Sequence, residues 1–480
     1  MRPRTYFYTD AGEVFLNRHG NYVLDEGVVE ARRLFEVGEE AQFQLPKHKA
    51  QMYRQKGLGD PPSPLTKFLS LEYSYGSESA IDYRENSDLD GSLKDDFLIA
   101  TPELNAFVRY RPTSWLEATL EMIFDREIDI IEEDFVILPD GEIQFAPDRR
   151  FSLLVDQLNV TIKQVIAPFR FTIGRLNFED ERHWLYDTSI DVAKLVYKQG
   201  KFNTEVWVGR ENLVDLEAIK ENKPDRITTS MILTEYRGIE DIKFAGYIVY
   251  REDHDRQEGQ PLHLGLRSIG NPTINLSYWA EFAYLVGQDQ LHRDFQAYGF
   301  DFGATYRFRG LPLNPNATLA VAYATGDDNP NDNENNEFRQ TGLQSNEAKF
   351  GGVSEFLIYG EALDPELSNI RILTAGVGIR PIHGISFDVV YHNYRLDKVG
   401  EEIRNTPLTA KLNQNGVVSK DVGSALDLVL GMRSLFGVKR LGLDLRGGWF
   451  FPGGAFPKEG APFDFKDADK GVSFVGKFWW

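Results

Sequence analysis

The stretch FQAYGFDFGATYRF (residues 295–308) alternates strictly between apolar and other residues from Tyr298 onward. The residues between the apolar positions are glycine, aspartate, threonine or arginine. A period of two predicts a β-strand with one apolar face and one polar face. The strand is long enough to cross a hydrocarbon layer at a tilt of about 45°, and aromatic residues occupy both ends of its apolar face. One strand of a soluble β-sandwich would show the same alternation, so the remaining sequence has to distinguish the two folds.

The composition excludes several classes of protein. With 73 acidic and 53 basic residues, for a net charge of −20, the chain lacks the basic stripe that nucleic-acid binding requires. It has no cysteine, which excludes cysteine-based metal, redox and nucleophile chemistry and fits an oxidising compartment. No apolar run approaches the length of about 18 residues that a transmembrane helix requires. The mean hydropathy of −0.38 is also expected of a transmembrane barrel, because half of each strand faces water.

The alternation recurs after residue 65 and predicts about 18 strands, an even number as single-chain bacterial barrels require. Short connections, such as 111–114 and 381–384, alternate with long polar ones, such as 125–150 and 326–365. We therefore predict an all-β fold, a transmembrane antiparallel up-and-down β-barrel of about 18 strands with short periplasmic turns and long extracellular loops. Its predicted location is the outer membrane of a Gram-negative cell. The predicted strands lie at residues 69–75, 104–110, 116–124, 158–162, 169–173, 192–197, 202–208, 227–233, 242–250, 262–266, 274–284, 298–308, 317–323, 373–379, 385–391, 425–430, 441–449 and 472–480.

The N-terminal region differs from the remainder. A turn-rich linker, GLGDPPSP (57–64), separates it from the first strand signal, and helical spacing in residues 25–37 predicts a short amphipathic helix. We predict two parts, an N-terminal tail or lumen plug at 1–62 and the barrel at 63–480. Residues 1–25 lack a continuous apolar stretch, so we expect that they are not a signal peptide and that the chain is a mature form or begins at a mis-called Met.

Charged residues of both signs occupy the polar faces of the predicted strands, Arg109, Arg251 and Arg307 among them. A lumen packed only with apolar groups is therefore not expected. Such charges fit a conduit that steers a polar solute, and they also fit a salt-bridged, wet interior that stabilises the barrel and passes little.

The sequence carries no G-x-S-x-G, H-E-x-x-H or P-loop pattern, and its eight histidines form no i, i+4 pair. Glu117 and Glu121 share a strand face but lie about 13 Å apart, too far for a glycosidase pair. We predict that the protein is not an enzyme and has no catalytic or cofactor-binding residue. The loop 326–337 (GDDNPNDNENNE) is rich in the oxygen ligands that Ca²⁺ favours but lacks EF-hand spacing, so bound calcium and a solvated loop both stay open.

Residues 337–369 (EFRQTGLQSNEAKFGGVSEFLIYGEALDPELSN) resemble the alginate-export outer-membrane porin family, which shares a QTGL-x-SN…F-G…GEA…ELSN loop. The resemblance covers most of 66–480 and leaves 1–60 uncovered. Four further segments are similar: FTIGRLNFEDERHWLYDTS (171–189), VVYHNYR (389–395), KDVGSALDLVL (420–430) and LRGGWFFPGGAF (445–456).

The resemblance implies an 18-stranded monomeric barrel whose lumen is constricted by loops and lined by arginines. It also implies that this lumen passes an acidic polysaccharide outward. Where the family has basic residues, this chain has Asn105, Glu347 and the segment 357–359, so its lumen is less basic and the substrate is left open. The residues that we predict to line the pore are Arg175, Asp187, Arg446, Arg109, Arg251, Arg307 and Glu361.

The predicted partners are outer-membrane lipid, a polar or acidic saccharide and, as a further candidate, a periplasmic export protein; no nucleic acid is expected. Three alternatives stay open. The barrel could scaffold another envelope protein with its lumen blocked by 1–60, it could be an outer-membrane enzyme with carboxylates on its loops, or it could be a soluble β-sandwich.

Overall fold

The computed structural model describes residues 71–85, 89, 97–131, 135–137, 143–145, 151–163, 168–211, 213, 226–254, 259–414, 416–438, 441–456 and 471–479, together with four two-residue strands near the N-terminus. The predicted tail at 1–62, including the helix at 25–37, lies outside the described residues apart from those four strands. The division of the chain near residue 62 therefore stays a prediction.

Eighteen antiparallel strands, numbered β1–β18, form one closed sheet in which each strand pairs with its neighbours in chain order. The last strand closes the barrel on the first, with Trp479 opposite Glu78 and Val472 opposite Glu85. This confirms the predicted barrel, and closure removes the unpaired edges that an open sheet would expose. The strands are β1 Leu71–Glu85, β2 Phe97–Tyr110, β3 Leu116–Arg126, β4 Phe151–Lys163, β5 Phe169–Glu179, β6 Asp187–Gln199, β7 Phe202–Arg210, β8 Ile227–Ile239, β9 Ile242–Asp253, β10 Gln260–Thr273, β11 Leu276–Gln288, β12 Ala297–Arg307, β13 Asn316–Ala324, β14 Ile370–Ile382, β15 Ile385–Leu396, β16 Asp421–Arg433, β17 Gly442–Pro452 and β18 Gly471–Trp479.

Side-chain exposure follows the alternation along each strand. On β12, Tyr298, Phe302 and Tyr306 are exposed on the outer face, whereas Asp301 and Thr305 are buried on the inner face. The apolar outer face fits a lipid environment, and the polar inner face points to the lumen. Because β12 begins at Ala297 rather than at Tyr298, its bounds agree with the prediction to within about one residue.

The connections alternate as predicted. Two-residue gaps, such as 200–201 and 240–241, join strands at one rim, and the connections at the other rim are longer. In bacterial outer-membrane barrels the short turns face the periplasm and the long loops face outward, which sets the orientation. Apart from the barrel strands, the described residues include short strand pairs and one 3₁₀ helix, Leu435–Gly437. No helix among them is both long and apolar enough to cross a membrane.

One long loop does not stay outside the barrel. The connection between β13 and β14, which is long and polar in the sequence, is exposed only in its first part, around 328–334. Residues 338–368, which we call the lumen loop, turn back into the barrel and contribute a large part of its buried core. The lumen loop therefore fills space that the strands alone would leave open.

Candidate functional site

Apolar anchors hold the lumen loop against the inner wall. Phe338, Phe356 and Leu363 are each at most 2% exposed. Phe338 lies directly over Gly299 of β12, where an added Cβ would approach the ring to within 2.6 Å. Glycine at this inner position therefore makes room for the loop, and the burial of three large side chains stabilises it.

Polar contacts tie the same loop to β9 and β10. The guanidinium of Arg251 donates to the backbone carbonyl of Thr341, and the ring of His263 lies 3.0 Å from the carbonyl oxygen of Arg339. Both wall residues are buried. The loop backbone thus has partners inside the barrel, as buried carbonyl groups require.

A second polar cluster joins the loop to β15–β17. Arg446 Nη1 lies 3.1 Å from Glu347 and 3.4 Å from Glu361, and the backbone N–H of Glu361 donates to Asp427 at 3.2 Å. Asp427 in turn contacts His392 at 3.1 Å. Burial raises the pKa of Glu361 to about 7, against the opposing charge of Arg446.

The connection between β5 and β6 (residues 180–186) also enters the lumen. Arg267 of β10 donates to Asp180 and to Glu181, both at 2.9 Å, and also contacts Glu281. Burial acts to raise the pKa of Asp180, but Arg267 and two backbone N–H groups outweigh it and hold that pKa below its usual value. Apart from Glu181, whose side chain is 14% exposed, this cluster is buried, so it holds the loop in place.

Asp187 links the two inserted segments. Ser345 Oγ donates to Asp187 at 2.6 Å, and the His183 ring lies 3.1 Å from the same carboxylate. Glu179, His183 and Asp187 offer ligand atoms within 4.8 Å of one another, a spacing that a metal ion could use. Burial lowers the pKa of His183, but the hydrogen bond and charge of Asp187, with Glu355 and Glu179, outweigh it and raise that pKa to about 10. The geometry is therefore that of an imidazolium held between carboxylates.

The opposite side of the lumen is wetter. Near the periplasmic turns, Lys163 Nζ lies 2.7 Å from Glu117, and Arg111 Nη1 lies 2.9 Å from Glu72. Side-chain exposure there is 30% for Lys163 and 15% for Arg109, compared with 3% for Arg267 beneath the inserted loops. Six cations and three acids make up this group, which we call the basic mouth: Arg109, Arg111, Lys163, Arg170, Lys194 and Lys198 with Glu72, Glu117 and Glu205.

The structure distributes the seven predicted pore residues over several places. It brings Arg251, Arg446 and Glu361 together with the lumen loop, and it puts Asp187 at the loop anchor. Two others lie on the inner wall towards the periplasm: Arg109 belongs to the basic mouth, and Arg307 borders a cavity of about 30 Å³.

Arg175 departs from the expected position. In the register it pairs with Leu158, which is an exposed outward residue, yet Arg175 itself is only 3% exposed and lies within the wall. Its Nε and Nη2 donate to Asp191 at 2.9 and 2.7 Å, and its Nη1 donates to the carbonyl of Val155 at 3.2 Å. Because these donors are engaged within the wall, the geometry does not support a pore-lining role, which stays a prediction.

Sequence reasoning missed Lys163, Arg170 and Lys194 as a group. Each was visible as a charge at an inward strand position, but they lie on three consecutive strands, so only the pairing of the strands brings them together.

In the loop 326–337, Asp327 pairs with Arg293 at 2.9 Å and Asp328 pairs with Lys398 at 2.8 Å. These carboxylates therefore point to separate partners, and calcium in this loop stays a prediction.

Comparison with known proteins gives one family. The family model described as alginate export matches residues 68–462. The chain is 27% identical over 231 residues to the alginate production protein AlgE of Pseudomonas aeruginosa, covering 41% of this chain and 45% of that protein. It is 26% identical over 184 residues to the same-named protein of Azotobacter vinelandii, covering 35% and 37%. The matched segments thus span less than half the length of these curated relatives.

Solved structures show the same fold at lower identity. The outer membrane protein OpdK of Pseudomonas aeruginosa has a TM-score of 0.53 at 10% identity, covering 85% of this chain and 98% of that chain. OccAB4 of Acinetobacter baumannii has a TM-score of 0.53 at 11% identity with the same coverage. These likenesses support the barrel architecture described above.

Proposed function

The chain belongs to the alginate export family, and from this premise we propose that its barrel is a conduit for a polar or acidic saccharide. Family and fold together place it in the outer membrane of a Gram-negative cell. The path begins along the periplasmic part of the inner wall of β2–β7, where charged side chains stay partly exposed, because the lumen loop occupies the opposite side.

The observation that carries this proposal is the basic mouth. Its cations outnumber its acids, and several of them stay partly exposed to the lumen although each acid has a cation beside it. An excess of charge of one sign in a narrow, low-dielectric opening attracts ions of the other sign and raises their local concentration. An anionic solute arriving from the periplasm would meet this group first.

The direct test is the reversal potential of single channels in a salt gradient. We expect anion selectivity for the refolded full chain, and a shift towards cations when Lys163→Gln is combined with Arg170→Gln, because two exposed positive charges leave the mouth. The control variant is Lys411→Gln, since Lys411 is an exposed loop lysine far along the chain from the mouth. Unchanged selectivity in the double variant would sink the proposal.

A scaffolding barrel is the second candidate, and the inserted lumen loop favours it. A loop that fills one side of the lumen leaves little room for a polymer if residues 1–60 occupy the other side. Deleting 1–60 and comparing conductance separates the candidates. A conduit passes current in both forms, whereas a plugged scaffold passes current only after the deletion.

A further inference from the structure

Two arginines lie side by side on the outer face of the barrel, at its extracellular end. Arg371 of β14 and Arg395 of β15 are direct partners in the strand register, and both are exposed. Each is within two residues of the point where its strand meets an extracellular loop. Their neighbours on the outer face, Leu373 and Tyr391, are exposed and apolar or aromatic, so the pair lies above a lipid-facing surface.

The pairing of Arg371 with Arg395 is electrostatically unfavourable when no ligand is bound. Like charges directly opposite each other on neighbouring strands destabilise a sheet. Among the described residues, no carboxylate lies within 4 Å of either guanidinium, although Asp421 is the register partner of Arg395. The nearby acids have other partners: Asp421 Oδ2 accepts from the N–H of Gly454 at 3.2 Å, and Asp397 Oδ2 accepts from the N–H of Gly326 at 3.0 Å.

The lysines that follow in the same loop have partners of their own. Lys398 is bound to Asp328 at 2.8 Å, and the ammonium of Lys420 donates to the backbone carbonyl of Asp397. Among the described residues, Arg371 and Arg395 therefore have no carboxylate ion-pair partner of their own. Two adjacent, exposed guanidinium groups can bind a phosphate through charge-assisted hydrogen bonds.

An apolar groove begins directly below the pair. It has a volume of about 660 Å³ and lies across the outer face of β12–β15. Leu373 and Asn393 form its upper end, one outward position below the arginines, or about 7 Å along the strands. The small side chain of Ala375 leaves the depression between larger neighbours. The side chains that line the groove are Phe302, Leu319, Ala320, Val321, Leu373, Thr374, Ala375, Tyr391 and Asn393.

The level of the pair in the membrane is set by aromatic rings. Tyr323 is the register partner of Arg371 on β13, and its ring lies 5.8 Å from that of Tyr298. Tyrosines at a strand end mark the interface between hydrocarbon and headgroups. The arginine pair is therefore at headgroup height in the outer leaflet, and the groove is at the height of the acyl chains.

We propose that this face binds a phosphorylated, multiply acylated glycolipid of the outer leaflet, of the lipid A type. A phosphate lies between Arg371 and Arg395, and one acyl chain occupies the groove. Asn393 lies between the phosphate site and the groove, where its amide oxygen accepts from the hydroxyl or amide groups that link the sugar of the lipid to its acyl chains. The bound anion removes the repulsion between the arginines, so lipid binding also stabilises β14–β15.

The test is binding of bisphosphorylated lipid A to the refolded full chain in detergent, measured by native mass spectrometry and calorimetry. We expect Arg371→Ala with Arg395→Ala to weaken binding by about tenfold or more, because the charge-assisted bonds to phosphate are lost. The control is Lys201→Ala with Lys411→Ala, which removes two exposed positive charges elsewhere and should leave affinity unchanged. Circular dichroism and gel mobility of the folded barrel verify that both double variants have folded.

Two further arms separate the lipid from other ligands. Ala375→Phe fills the groove without changing the arginines, and it should weaken the binding of lipid A. Lipid A without its phosphates should bind poorly to the wild type and to every variant. Millimolar inorganic phosphate should not displace the lipid. Equal affinity of the wild type and the double arginine variant, displacement by phosphate alone, or no effect of Ala375→Phe would each overturn the proposal. A protein occupant of this face would give the first of these results.

Discussion

The inner walls of β2–β7 and β9–β17 carry the same kinds of side chain in different surroundings. Under the inserted loops, Arg267 and Glu281 are almost completely buried, and their charges are closed within the protein. On the other side, Lys163 and Glu117 keep partial access to the lumen. The difference arises from the covering segments, since both walls have the same alternation and the same mixture of acids and bases. A charged lumen residue therefore indicates a solute path only when no loop covers it.

The largest expected effect comes from removing the cover. Replacing residues 340–366 with a short Gly-Ser linker should raise single-channel conductance several-fold, because barrels of this size enclose an aqueous channel when nothing fills them. As a control, the exposed tip 328–333 can be shortened, and conductance should then stay near the wild-type value. If both variants conduct like the wild type, the lumen loop does not obstruct the pore.

The second effect compares one arginine from each wall. Arg267→Ala should destabilise the barrel by about 3–5 kcal/mol, since Asp180 and Glu281 would be left buried without a counter-charge. Arg109→Ala should cost less than about 1 kcal/mol, because its partners keep contact with water. Unfolding in urea from detergent micelles measures both. Losses of similar size would contradict the assignment of covered and wet walls.

The sequence determined the strands because their signal is local. A strand such as β12 shows its alternation of apolar and polar residues within a dozen positions. Eighteen such strands, joined by connections of alternating length, predict a barrel without any information on contacts between distant residues. The inserted loop required contacts far apart in sequence. Its local signal was the presence of large apolar residues, such as Phe338 and Phe356, inside a segment whose glycine and polar content is typical of a loop, and the family resemblance implied a lumen constricted by loops.

The predicted site residues likewise fall into two groups: those that the sequence alone could identify, and those whose position depends on how the strands pair. Arg446 and Glu361 were identified from a family resemblance, and the structure brings them to within 3.4 Å. Arg175 follows Gly174, whose backbone has a φ of +117°, and its side depends on the pairing with β4 and β6, which no single strand reveals. The basic mouth likewise exists only after the register aligns its strands.

A smaller change should appear when the pH is varied: the stability of the lumen loop should change, and that of the uncovered wall should not. Burial raises the pKa values of Glu361 and Asp364 to about 7, and carboxylates around His183 raise its pKa to about 10. Groups with a raised folded-state pKa contribute stability that is lost as pH rises through that value. The lumen loop should therefore loosen from pH 5 towards pH 10.

Hydrogen exchange of residues 338–368 measures this effect. After correction for the intrinsic exchange rate, we expect opening to increase by about tenfold or more between pH 5 and pH 9, which corresponds to a change of one pKa unit in one group. The strands β2–β7 serve as the internal control and should change little. Stronger protection of the loop at pH 9 would contradict the assignment of these pKa shifts.

The central claim, that a solute path follows β2–β7 and avoids β12–β14, is tested most directly by cysteine accessibility, since the natural chain contains no cysteine. Asn203→Cys puts a thiol on the wet wall, and Thr305→Cys puts one on the covered wall, where Thr305 is 0% exposed. A negatively charged thiosulfonate reagent should modify the first rapidly and reduce single-channel current, and should leave the second unmodified. Rapid modification and current block at residue 305, with none at residue 203, would contradict the account.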